Sequence, residues 1–378
     1  MNRLVIKGGN VLLADGATER TDVACDGATI ASVSPIATGD TEVDATGALV
    51  LPGIIDVHGD AFERAIMPRP SVFMPVARAV AETRGQLLAE GITTAFLSVT
   101  DGWEPGLRSR ERLRDLVDEL ATDGSVDRPP RLEVHVRHET CNTDDFEELL
   151  AWVSTRKVSM VSYNDHTTGG IKLVKGLSDQ RVQRSGVSRD ELQDLQDEAI
   201  SRRPDGQTQE TRLAEVAADA GVATACHDPA DDEDLARDLR LGVRFAEFPV
   251  SIELAHEYRT HDIPVLLGAP NLVRGGSHLG NLSVADAWAA RAPDLLCSDY
   301  HYPSLLQAPF VLMDMGVPLA EAWATVSATP ARVAGLDDRG AIETGRLGDL
   351  IVVEPATASR DARVRAAIVD GRVAMLPP

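Results

Sequence analysis

The chain has no surplus of basic residues, no closely paired cysteines and no membrane-length apolar run, and each lack removes a class of function. Its 37 Lys and Arg against 59 Asp and Glu leave a formal net charge of −22. With no basic stripe, that balance opposes nonspecific binding to nucleic acid or to an anionic membrane surface. A small anionic substrate is still admissible, because clustered arginines or a metal ion reverse the potential inside a cleft. Cys25, Cys141, Cys226 and Cys297 are scattered without a CxxC pair, so no disulfide framework is expected. The opening Met1 to Ile6 runs into strand-like alternation rather than the apolar core of a signal peptide, and the expected location is cytoplasmic.

What is present is enough apolar material for a large core: 378 residues, 43% of them hydrophobic. The first fifty residues alternate apolar and polar in short runs broken by Gly, with Asp26-Gly27 as a hairpin turn. The tail repeats this style in Gly348 to Val353 and Ala366 to Val373. The two ends are therefore expected to pair into one small β-sandwich domain, residues 1–50 plus 340–378, with residues 51–339 inserted between them.

In that insert, apolar β-runs alternate with long amphipathic segments, the pattern of a parallel sheet covered by helices. Strands are predicted over 54–58, 93–99, 131–137, 158–163, 222–227, 243–248, 265–268 and 295–298, the number a closed (β/α)8 barrel requires. Helices are predicted over 76–90, 110–121, 189–202, 211–220 and 320–328, and 166–187 reads as a long irregular loop of the kind that forms lids.

Several of these strands end in chemistry. His58 and Asp60, spaced i, i+2, face one side of a strand, and later runs end in Glu139, Asp165-His166, His227-Asp228 and Ser298-Asp299. One such residue alone reads as a turn or cap; the repetition points to a metal site at a barrel mouth. Imidazoles with carboxylates suit zinc foremost, or iron or manganese, and such an ion acidifies its bound water toward neutrality. Asp299 is read as the general base and later acid. On the third strand Arg137 and Glu139 share a face, so Glu139 is favoured as a ligand and His138 as packing. Asn271 to His278 carries Arg274, Gly275, Gly276 and His278, where glycines permit close backbone approach and Arg274 with His278 can hold an anion. Arg69, in the stiff Pro68-Arg69-Pro70 loop, lies near the first ligands.

These blocks carry a resemblance. The stretch Pro52-Gly53-Ile54-Ile55-Asp56-Val57-His58, with the split β-domain, resembles the amidohydrolase superfamily over nearly the full length. Within it, Met67-Pro68-Arg69-Pro70, Asn164-Asp165-His166, Ala246-Glu247-Phe248-Pro249 and Gly268 to Asn281 resemble the α-D-ribose 1-methylphosphonate 5-triphosphate diphosphatases. The resemblance implies a distorted (β/α)8 barrel, one or two divalent ions, and a proton-shuttling aspartate. For the diphosphatases it implies attack on phosphorus in a 5-triphosphate with release of diphosphate. The resemblance also implies ligands among His58, Asp60, Glu139, His166, His227 and Glu247, the last standing where the superfamily usually has histidine. Lys157 begins the fourth strand, so a carboxylated lysine at its end is not expected.

The mouth loops Thr167 to Lys172 and Tyr300-His301-Tyr302-Pro303-Ser304 depart from the diphosphatases, and loops of this kind set substrate choice. Lys172 and His301 are accordingly candidate substrate contacts, with Arg64 and Lys175 beside them. The expected partner is a small phosphorylated molecule, and a homodimer is in keeping with the superfamily. The alternatives are an amidase, deacetylase or deaminase using the same centre on a C–N bond, and a noncatalytic metabolite-binding barrel.

Overall fold

The computed structural model describes residues 3–122, 128–168, 177–275 and 283–376. Near the N-terminus lie β1 (Arg3–Leu12), β2 (Thr18–Asp26), β3 (Thr29–Ser34), β4 (Thr41–Asp44) and β5 (Leu49–Pro52). The central strands are β6 (Ile54–Gly59), β7 (Ile92–Asp101), β8 (Arg131–Glu139), β9 (Met160–Asn164), β10 (Ala223–His227), β11 (Phe245–Glu247), β12 (Val265–Gly268) and β13 (Leu295–Cys297). The tail supplies β14 (Leu350–Glu354), β15 (Arg363–Val369) and β16 (Arg372–Met375).

Strands β6 to β13 pair in sequential order, every pairing parallel, as helical crossovers demand. Two backbone bonds all but close the ring, Asp299 N to His58 O and Asp60 N to Asp299 O, both 2.9 Å. All eight expected strands are therefore present, in a near-closed barrel. The terminal strands form one mixed sheet in the order β16-β15-β14-β5-β1-β2-β3, with β4 also on β1, and residues from both chain ends share its core. It is continuous with the barrel through Gly53, where an added Cβ would lie 2.2 Å from Thr93 Oγ1.

Inside the barrel, Ile55, Val57, Phe96, Met160, Ala225, Phe245, Leu266 and Leu295 fill a buried apolar layer, so the lumen is packed rather than open. One step further along the same faces stand Ser98, His135, Ser162, His227 and Glu247, and Asp299 follows the end of β13. On β6 the alternation is broken: from Asp56 to Gly59 this strand advances three residues while β7 advances two, from Ala95 to Leu97. That bulge lets Val57 join the apolar layer and still turns His58 into the polar one.

The helices Val76–Ala89, Arg110–Thr122 and Arg189–Ser201 fall where the periodicity puts them. Three expectations are corrected. The helix expected from Thr211 begins at Arg203, because Pro204 occupies its first turn, where a missing N–H is harmless. The helix expected over 320–328 divides into Leu319–Ala324 and Ala328–Ala334. The stretch 166–187 is not wholly irregular: Asp179–Ser185 is helical, with the Ser178 side chain accepting from Arg181 N and Gly186 ending it in the left-handed region. Among the described residues, no helix is long and apolar enough to cross a membrane, and all four cysteines are free and buried.

Candidate metal centre

Imidazoles meet where the apolar layer ends. The His58 and His227 rings lie 5.2 Å apart, and those of His166 and His227 5.0 Å apart. Donor atoms of His58, His227 and Glu247 fall within 4.8 Å of one another, and so do those of His166, His227 and Asp228. His227 belongs to both sets.

A hydrogen-bonded chain orients the first set. His58 Nδ1 lies 2.9 Å from Glu247 Oε1, while Glu247 Oε2 accepts from the Ser162 hydroxyl at 2.8 Å. That hydroxyl is 2.5 Å from His135 Nε2, and the far side of the His135 ring meets Ser98 Oγ at 2.7 Å. Burial holds His135 down at about 3, so it is neutral. Both Glu247 oxygens are thus engaged, and this carboxylate fixes the His58 ring from behind. Burial opposes charge on His58, but Glu247 outweighs it and the imidazole is raised above its ordinary value. His227 is pushed well down, chiefly by burial.

The residues fit a divalent ion on an observation independent of any resemblance. His58 Nε2 and His227 Nδ1 are buried and make no hydrogen bond among the described residues. Two buried ring nitrogens left without a hydrogen-bond partner are costly, and an ion bound at them would relieve that cost. The strands end abruptly around them: Asp228, Phe248 and Asp299 all have positive φ, at 54°, 58° and 52°. Aspartate tolerates that region, whereas Phe248 is strained there, and its ring stands edge-on to both His58 and His227.

Glu139 is committed to neighbours, with Oε1 2.8 Å from His166 Nδ1 and 2.5 Å from Asn164 Nδ2. His166 Nε2 reaches Asp228 Oδ2 at 3.3 Å. Asp60 Oδ2 is bound by Arg137 at 3.1 Å and faces Arg108 at 3.5 Å. Burial would raise the Asp60 carboxyl, but these two arginines outweigh it and hold it low. Asp299 is the opposite case. Burial first, then the Asp60 charge, push it up to about 7.

The anticipated substrate residues are more dispersed. Arg69 is exposed in its loop. Asn271 is half-buried in the helix Ala269–Val273 after β12, and its Oδ1 has no hydrogen bond among the described residues. Arg274 Nη1 lies 3.2 Å from the Tyr300 hydroxyl, and the exposed Gly275 follows it. Arg64 donates to the Tyr300 carbonyl, and His301 bonds Ser304 Oγ at 2.8 Å at the start of the helix Tyr302–Asp314. Lys172, Lys175, Gly276 and His278 lie outside the described residues. Sequence reasoning gave no role to Arg108, Arg137, His135 or Ser162. Only Arg137 offered a signal, its shared face with Glu139.

A family model described as "Amidohydrolase family" matches residues 304–375. Over 322 residues the chain is 31% identical to alpha-D-ribose 1-methylphosphonate 5-triphosphate diphosphatase of Escherichia coli (strain K12), covering 82% of this chain and 84% of that one. The chain belongs to the amidohydrolase superfamily. This amidohydrolase is also 24% identical, over 94% of its length and 84% of the relative's, to 5-methylthioadenosine/S-adenosylhomocysteine deaminase of Natronomonas pharaonis. Among solved structures, an amidohydrolase from a Sargasso Sea environmental sample superposes with a TM-score of 0.66 at 15% identity, over 99% of this chain and 93% of that one. That likeness concerns the fold.

Proposed function

We propose that the chain is a metal-dependent phosphoanhydride hydrolase acting on a triphosphorylated sugar phosphonate or a close relative, with release of diphosphate. The observation that carries this is Asp299, a carboxyl pushed up to about 7 on the same rim as the buried His58 and His227 nitrogens that make no hydrogen bond among the described residues. A base that titrates near neutrality is suited to taking a proton and giving it back. The 31% identity to the diphosphatase supports phosphorus as the electrophile.

His58 and His227, with Glu247 orienting His58 and with His166 and Asp228 adjacent, would hold one or two divalent ions. Bound there, the metal would supply Lewis acidity and a lowered water pKa; the donor set suits zinc, iron or manganese. The residues do the rest. Asp299 takes a proton from the attacking water as its oxygen bonds to phosphorus and the anhydride P–O bond breaks, then returns that proton to the leaving oxygen or to solvent. Arg137, bound to Asp60, adds positive charge beside the developing phosphoryl oxygens. Phe248 packs edge-on against both imidazoles.

A second reading, hydrolysis at a C–N bond, is favoured by the deaminase match and by the neutral Asn271 amide, whose carbonyl has no hydrogen bond among the described residues. One assay separates the two. Metal-loaded protein is incubated with ribosyl phosphonate triphosphate, nucleoside triphosphates, methylthioadenosine and N-acyl compounds, and diphosphate, phosphate, ammonia and acid release are followed. Diphosphate or phosphate release is expected; ammonia or acid release alone would transfer the proposal to the C–N class.

A further inference from the structure

Three arginines that sequence reasoning passed over converge on a cavity beside the metal centre. Arg108 closes the short helical turn Gly106–Arg108, and Arg181 and Arg184 lie on the helix Asp179–Ser185. The cavity has Glu104, Arg108, Arg181 and Arg184 on one side and Glu139 and His166 on the other.

The pairing leaves positive charge over. Arg181 Nε and Arg184 Nε each donate to a different oxygen of Glu104 at 2.6 Å, so two guanidiniums share one buried carboxylate. Arg108 is spent on Glu63, through two bonds of 2.9 Å. Among the described residues, the terminal nitrogens of Arg181 and Arg184 have no hydrogen-bond partner. Their side chains are only 15% and 20% exposed. The like charge of Arg108, acting after burial, pulls Arg184 below its ordinary value. Two guanidiniums sharing one carboxylate leave terminal donors that a bound anion would satisfy.

The cluster is also stiffly built. The Arg181 guanidinium lies over the Trp103 ring, 4.7 Å from its centre, and Trp103 Nε1 donates to Thr167 Oγ1 at 2.8 Å. Gly106, at φ 82°, lets the turn approach the helix so closely that a Cβ would stand 2.3 Å from Arg184 O. The guanidinium forks are therefore fixed before any ligand arrives, the preorganisation that recognition of a tetrahedral oxyanion rewards.

The geometry points to Arg181 and Arg184 as a phosphoryl-binding subsite, distinct from the metal ligands, that holds the end of a phosphate chain whose reacting phosphorus lies at His58 and His227. This rests on the phosphoanhydride reading and assigns the non-reacting end of its phosphate chain to two named residues.

Calorimetric titration with inorganic pyrophosphate tests it, on the full chain both metal-loaded and after chelator treatment. In wild type, binding weakens without metal but persists, and it falls as salt is raised. Arg181→Gln and Arg184→Gln, each leaving Glu104 with one guanidinium, weaken binding about tenfold or more in both forms, and Arg184→Lys recovers part of the loss. Melting temperatures within a few degrees of wild type confirm that the variants fold. Unchanged affinity in both glutamine variants, or complete loss of pyrophosphate binding on metal removal, would overturn the subsite. Because the chelator-treated form reads binding without turnover, a protein that hydrolyses no phosphoanhydride yet shows these losses in that form refutes the proposed function and leaves an anion subsite at Arg181 and Arg184 standing. Where hydrolysis is seen, the variants raise KM more than they lower kcat.

Discussion

Asp299 is asked to be a base in a place that disfavours its charge, and that conflict is measurable. Burial, reinforced by Asp60, pushes its carboxyl up to about 7. Since the ordinary value is near 3.8, the metal-free folded protein keeps a proton there, between about pH 4 and 7, that the unfolded chain has released. Its contribution to stability is therefore complete below about pH 4 and is lost as pH rises toward 7, by up to roughly 4 kcal/mol. Metal-free Asp299→Asn avoids this loss, so its melting temperature relative to wild type climbs between pH 5 and pH 8; a constant difference would mean Asp299 is already ionised. Cation binding shifts Asp299 toward its carboxylate and expels the proton. Calorimetry of metal binding at pH 6 in buffers of different ionisation enthalpy should show about one fewer proton released by Asp299→Asn than by wild type, the deficit fading above pH 7. His58, also raised, releases its proton in both proteins, and His227, pushed well down, does not add to the difference. With metal retained by elemental analysis, the same substitution lowers kcat by about 10²- to 10⁴-fold. Wild-type turnover in that variant would remove Asp299 from the chemistry.

At the scale of elements, the site depends on the seam between β6 and β13. Asp56, wholly buried, accepts from Ser298 Oγ at 2.5 Å, Ser298 N at 3.1 Å and His58 N at 3.3 Å, pinning the bulge that aims His58. Gly59 belongs to the same closure, since a Cβ there would stand 2.6 Å from Asp56 Oδ2 and 2.8 Å from Ser298 Oγ. Asp56→Ala leaves those donors buried and unpaired, at about 1–3 kcal/mol each. Its urea midpoint should fall with the slope unchanged, and metal affinity should fall with it as His58 loses its aim; metal affinity equal to wild type would show that the bulge holds without Asp56. Strands were legible in the sequence because each barrel strand must place apolar side chains on the helix-facing side, as Val134, Val136, Val161 and Leu267 do. The candidate site residues at strand ends were legible because His227 and Glu139 close such runs. The bulge was not, since an extra residue looks like ordinary alternation until the neighbouring strand supplies the register. The arginine cluster was not, because Arg108, Arg181 and Arg184 come from two separate segments whose meeting is decided by a helix inside an irregular-looking stretch. The helix read as starting at Thr211 starts at Arg203, with Pro204 in its first turn.

Across the whole molecule, the last strands belong to two cores at once. Along β14, Leu350 and Val352 face the terminal sheet's own core while Ile351 and Val353 pack against the barrel's helices. β15 divides the same way, with Ala366 and Ile368 on one face and Val364 and Val369 on the other. Polar ties cross this boundary: Arg339 Nη1 reaches Thr94 Oγ1 in the barrel at 2.9 Å and Asp349 at 3.3 Å, and Trp323 Nε1 donates to Pro52 O at 3.0 Å. The terminal sheet is thus a clamp, and it also fixes β5, which runs straight into the β6 strand that carries His58. Burial of a Val, Ile or Leu side chain is worth about 1.5–3 kcal/mol, and four such residues on the barrel-facing side already match the whole stability of a typical domain, about 5–15 kcal/mol. A chain ended after Gly345 should consequently fail to give a soluble, cooperatively melting barrel. Ile351→Ala and Val353→Ala, made singly in the full chain, should each lower stability by about 2–4 kcal/mol and shift one transition rather than split it in two. A truncated chain that folded, bound metal and turned over substrate would show that the barrel stands without its clamp, and two separate transitions in the point variants would show that the cores melt independently.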